Sequence, residues 1–111
     1  MARRHRFILL AALGGLLGTA AAEEPAVFQI VARDGRLAPA KLDVPAGRKL
    51  KFLIRNEGPG PAEFESAELR VEKVLSPGAS SFVIVAPLKP GRYRFFDEFH
   101  PATSEMQVVA K

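Results

Sequence analysis

The chain has 111 residues, a formal net charge of +4 and 48% hydrophobic residues, and it contains no cysteine. That length describes one domain with a modest core, and without cysteine no disulfide can staple it. The positive charge does not point to nucleic acid: Arg3, Arg4 and Arg6 stand at the extreme N-terminus, and without them 13 basic residues face 12 acidic ones, with no basic stripe among aromatics.

The three arginines precede an apolar run over residues 7–17 and then Gly18-Thr19-Ala20-Ala21-Ala22. A basic start, a short apolar stretch and an A-x-A site predict a secretory signal peptide over residues 1–22, cut before Glu23. The run is too short and too rich in glycine for a comfortable membrane span of about 20 residues. Residues 23–111 are therefore expected to form one domain in the periplasm.

The rest of the chain reads as β-structure. Residues 26–32 are a strand candidate ending at Asp34-Gly35, and Leu42-Asp43-Val44 is a short one closed by Pro45-Ala46-Gly47. Residues 49–55 alternate, with Leu50, Phe52 and Ile54 on one face and Lys49, Lys51 and Arg55 on the other. The stretch 56–61 is a loop by composition. Phe64 and Leu69-Arg70-Val71 continue with strand character, and residues 72–75 and 81–85 flank Pro77-Gly78 as in a hairpin. Residues 91–96 and 106–110 complete about seven short strands, the pattern of a Greek-key sandwich or small barrel. Tyr93, the one tyrosine, follows Pro90-Gly91, a position from which its hydroxyl reaches back to the upstream backbone as a tyrosine corner. Met106 alternates with Val108 and reads as core.

The segment Val44-Pro45-Ala46-Gly47, then Leu50 to Gly58 and Glu63-Phe64, resembles the first half of small bacterial cupredoxins. Residues 88–96 and Phe99-His100-Pro101 resemble their copper-loop half. The resemblance implies a cupredoxin-like β-sandwich. Such domains hold copper between a histidine after the Asn-rich loop and a Cys-x-x-His-x-x-Met run. Here the first histidine position falls on Ala62, the cysteine position on Asp97 and the methionine position on Thr103, while His100 keeps the second histidine position. A blue-copper centre needs a thiolate and two imidazoles, so none is expected.

Carboxylates stand in their place: Glu63, Glu65 and Glu68 in one run, Asp97 and Glu98 beside His100 in the other. On an extended strand Glu63 and Glu65 share a face while Phe64 packs inward, and an inward acid at position 97 demands a partner. Arg70 and Lys73 lie close enough in sequence to pair with the run. Carboxylates with one imidazole suit harder ions, iron and manganese ahead of copper(I).

The combination of Glu63-Phe64-Glu65-Ser66 with Glu68, and of Arg94-Phe95-Phe96-Asp97-Glu98-Phe99-His100-Pro101, is similar to the periplasmic cupredoxin-like component of FTR-type ferrous-iron importers. That resemblance implies handling or oxidising Fe(II) beside an inner-membrane iron permease and a periplasmic iron-binding protein. Glu63, Glu65, Glu68, Asp97, Glu98 and His100 are the positions that match. An iron relay without redox chemistry and a ferroxidase component both remain open on these residues. So do a copper carrier using His100 with carboxylates, and a metal-free adaptor docking on a transporter. No serine-nucleophile or phosphate-loop pattern is present.

Overall fold

The computed structural model describes residues 24–111, so the expected signal peptide lies outside the described residues. Nine strands and no helix make up these residues: β1 (Ala26–Arg33), β2 (Arg36–Ala38), β3 (Lys41–Val44), β4 (Leu50–Asn56), β5 (Ala62–Ser66), β6 (Val71–Leu75), β7 (Ser80–Val85), β8 (Gly91–Phe95) and β9 (Met106–Ala110). One sheet runs β2-β1-β4-β7 and a second β3-β9-β8. The β5–β6 hairpin joins the open side of β8 through a single antiparallel bridge between Glu65 and Phe96.

The alternation expected for β4 is present, with Leu50, Phe52 and Ile54 buried against the core. Its neighbours are β1, parallel, and β7, antiparallel. Between the layers Phe52, Phe64 and Phe95 form a closed aromatic centre, with Phe64 stacked on Phe95 at 4.6 Å and Phe52 tilted against both. All three are fully buried, and Met106 lies with them in the core as its alternation requires. The tyrosine corner is also present: the Tyr93 hydroxyl donates to the Lys89 carbonyl at 2.7 Å.

The first strand ends at Asp34-Gly35 as expected, with one addition, and two local expectations are corrected. The Asp34-Gly35 turn is followed by another strand, β2, because both residues adopt positive φ (54° and 72°). Paired positive φ values match the twist of a tight hairpin and fold the chain straight back on β1. Leu69 and Arg70 are turn, not strand; Arg70 has φ 57° and its amide donates to Ala67. The strands flanking Pro77-Gly78 do not pair with each other: β6 pairs with β5 and β7 with β4.

The cause of the last correction is Asn56. Buried at the end of β4, its side-chain amide donates to the carbonyls of Gly60, Leu75 and Ser76, and its Oδ1 accepts from the Gly58 amide. Its backbone carbonyl accepts from Gly78. One side chain thus ties the 57–61 loop and the 76–79 turn to the same end of the sandwich, and the chain crosses there from one sheet to the other.

Candidate metal centre

β5 is covered on both faces. Ala62, Phe64 and Ser66 point into the core, while Glu63 and Glu65 share the opposite face, as a strand's alternation dictates. Across the hairpin Glu72 lies directly opposite Glu65. Glu98 arrives from the loop after β8. Oxygens of Glu63, Glu65, Glu72 and Glu98 all fall within 4.8 Å of one another. Glu63 is 2% exposed, so it is no solvated rim residue. Glu65 Oε1 is buried with no hydrogen-bond partner. Neither Arg70 nor Lys73 forms an ion pair with these acids, and among the described residues no other basic side chain does.

Four converging carboxylates without a cation cannot all stay ionised at low cost, because a buried charge needs a counter-charge or a proton. The Glu63 carboxyl is accordingly pushed up to about 8, first by burial and then by hydrogen bonding to Glu72, with Glu65 adding to the rise; the Glu98 amide opposes it. That amide donates to Glu63 Oε1 at 2.9 Å.

The edge of β8 and its extension explains why the acids gather here. Alternate amides, those of Arg94, Phe96 and Glu98, face the β5 segment. Phe96 makes the one backbone bridge, to Glu65, while Arg94 donates to Glu68 Oε1 at 3.1 Å and Glu98 to Glu63. Two glutamate side chains thus stand in for missing ladder bonds. Glu68 is spent in this way and lies outside the cluster of four.

Asp97 and His100 go elsewhere. Asp97 is buried, its Oδ1 accepts from the Phe99 amide at 2.9 Å, and its Oδ2 lies 3.2 Å from Nδ1 of the half-exposed His100. Ser104 braces the same residue, its hydroxyl receiving the Asp97 amide and donating to the Asp97 carbonyl. The inward acid does find a partner, and it is an imidazole. The pair lines a cleft of about 590 Å³ together with Ala62, Asn56 and the β1–β2 turn. The six positions drawn from the sequence thus separate: Glu63, Glu65 and Glu98 come together, Asp97 and His100 form a second group, and Glu68 joins neither. Glu72 was missed. It reads as an ordinary exposed strand glutamate, and only the register with Glu65 brings it in.

The profile of the cupredoxin-like domain matches residues 6–110. The chain belongs to the cupredoxin-like domain family. Its fold agrees with solved structures at low identity. The purple cupredoxin from Nitrosopumilus maritimus superposes with a TM-score of 0.56 at 18% identity, covering 75% of this chain and 98% of that one. Auracyanin A, a blue copper protein from Chloroflexus aurantiacus, superposes at 0.67 and 11% identity, covering 79% and 100%. An uncharacterized protein of Rickettsia prowazekii, RP394, is 38% identical over 81 residues, 73% of this chain; the chain spans 65% of that relative's length. For this cupredoxin-like chain the copper its fold suggests can be weighed against the residues. At the expected copper locus stand Ala62, Asp97 and His100, with no cysteine anywhere in the sequence. These residues do not fit a blue-copper centre.

Proposed function

We propose that this cupredoxin-like domain captures a hard metal cation as cargo through Glu63, Glu65, Glu72 and Glu98, and that the cation is iron in transit to an inner-membrane permease. The observation that carries the reading is the buried, unpartnered Oε1 of Glu65 among three further carboxylates with no basic residue bridging them. A multivalent cation supplies the missing counter-charge to all four at once. An all-oxygen donor set suits Mn(II), Fe(II) and other hard ions and disfavours Cu(I). Among these, iron is chosen because the acidic motifs are similar to those of the FTR-type component, which also supports a periplasmic location. Glu63, buried, forms the floor of the site, and the exposed Glu72 and Glu98 form its mouth.

Asp97 and His100 favour a second reading, a copper(II) site in the cleft. The two readings separate in one experiment, an anaerobic titration of the protein with Fe(II), Mn(II) and Cu(II) followed by exposure to oxygen. The iron reading expects stoichiometric Fe(II) binding that is weakened in Glu65→Gln and kept in His100→Ala. Cu(II) binding lost in His100→Ala, with no Fe(II) binding, would transfer the function to the cleft. Absence of binding by any of the three metals would leave the acidic cluster as a docking surface for a partner.

A further inference from the structure

The chain turns sharply after β8, and the hydrogen bonds of that turn converge on one peptide group, the one joining Asp97 to Glu98. Its carbonyl accepts from the His100 amide at 2.9 Å and from the Ser104 hydroxyl at 3.1 Å. Its amide points the other way and donates to Glu63 Oε1 at 2.9 Å. The following peptide is held too, because the Phe99 amide donates to Asp97 Oδ1 at 2.9 Å. Both peptides flanking Glu98 are thus fixed, which sets the direction in which its side chain leaves the backbone.

Asp97 and Ser104 are the side chains behind this turn, 2% and 0% exposed. The Ser104 hydroxyl also receives the Asp97 amide at 2.7 Å, so it grips Asp97 by both backbone groups. An aspartate that accepts from the amide two residues on is a turn-forming device. Both carboxylate oxygens of Asp97 are engaged, Oδ1 by Phe99 and Oδ2 by His100, and Asp97 is not among the four acids that converge. What the turn presents to the cargo site is Glu98 and, through its amide, Glu63. Glu98 is exposed at the mouth, where a long side chain has rotamer freedom to lose on gripping an ion. A backbone that already aims it inward reduces that loss.

We propose that Asp97, backed by Ser104, is a positioning residue of the cargo site. It acts on the ion only through the Asp97–Glu98 peptide, which aims the Glu98 carboxylate and seats Glu63. The proposal rests on the reading of the four glutamates as a cation site. The role is one of shape, because it depends on Oδ1 accepting from Phe99, and asparagine carries the same acceptor. An acid acting by its charge has no such substitute.

Anaerobic Fe(II) titration of the full-length chain tests this in Asp97→Ala, Asp97→Asn, Glu98→Gln and the double variant Asp97→Ala with Glu98→Gln. Asp97→Ala is expected to weaken Fe(II) binding by about tenfold or more, the usual effect of losing a group that orients a ligand. Asp97→Asn is expected to bind as the parent does. In the Glu98→Gln background Asp97→Ala is expected to weaken binding much less, because its effect runs through that carboxylate. In the metal-free chain, exchange of the Glu98 and Phe99 amides is expected to quicken in Asp97→Ala and not in Asp97→Asn. Should Asp97→Ala fail to fold by circular dichroism, Ser104→Ala replaces it in each arm, with a loss of binding expected that again depends on Glu98. Binding as weak in Asp97→Asn as in Asp97→Ala would overturn the proposal, since the ion would then be responding to charge. So would an equal loss with and without the Glu98 carboxylate. A parent that takes up no Fe(II) overturns the cation reading, and this proposal falls with it; a parent that binds while Asp97→Ala binds equally well overturns this proposal alone.

Discussion

Glu65 occupies two roles at one position. Its backbone forms the bridge to Phe96, and its side chain carries the buried oxygen without a partner. Glu65→Gln keeps the shape and removes the charge, so hard-cation affinity is expected to fall by tenfold or more, about 1.4 kcal/mol, by calorimetric titration. The metal-free domain is expected to melt higher, because a repulsive neighbour is gone. Glu63 makes the matching pH prediction. Its folded carboxyl releases its proton near 8, while an unfolded glutamate does so at about 4.3. Between those values the folded state binds more protons than the unfolded one, so metal-free stability declines as pH rises through that window. The melting temperature is expected to be higher at pH 5 than at pH 8, with a flatter profile in Glu63→Gln. The types of residue at the site were legible in the sequence, but their grouping was not. Neighbours in sequence, Asp97 and Glu98 turn their side chains into different sites, and Glu72 enters only through strand register.

At the scale of elements, strands with clean alternation were legible and their connections were not. β4 announces itself by Leu50, Phe52 and Ile54 against Lys51 and Arg55, and Tyr93 is placed correctly by the Pro-Gly turn before it. The pairing of β7 with β4 depended on Asn56, whose bonds reach 20 residues along the chain and leave no local signature. Asn56→Ala removes three donated bonds and one accepted bond from a buried position. The Leu75 carbonyl lies in a buried bond and those of Gly60 and Ser76 in part-buried ones; a buried polar group left without a partner costs roughly 1–3 kcal/mol, so a loss of about 3 kcal/mol in chemical denaturation is expected. Tyr93→Phe is milder, at about 1 kcal/mol for its single bond. Gly35→Ala acts on both the turn and the cleft. Gly35 has φ +72°, and an added Cβ would lie 3.0 Å from His100 Cδ2. A stability loss is expected together with a shifted His100 ring resonance by NMR.

For the whole molecule, the stacked phenylalanines supply what disulfides cannot. Phe64 joins the β5–β6 hairpin to β8 and Phe52 joins both to the first sheet. Replacing a fully buried phenylalanine with alanine typically costs about 3–5 kcal/mol, a large share of the roughly 5–15 kcal/mol that holds a domain folded. Phe64→Ala is therefore expected to lose about 3–5 kcal/mol in chemical denaturation and to melt well below the parent.

The hairpin's attachment has a kinetic consequence. Beside the buried Phe64–Phe95 stack, its polar attachment to β8 is a single backbone rung and two glutamate side chains, and Glu65 and Glu63 belong at once to that hinge and to the candidate cargo site. Anything gripped by these side chains also clamps the hinge, so the rate of letting go is expected to follow the rate at which this seam opens. Amide exchange at Glu65, Phe96 and Glu98 would then slow on loading, and a variant that loosens the hinge without touching the four carboxylates, such as Glu68→Ala, would release its ion faster while capturing it as readily.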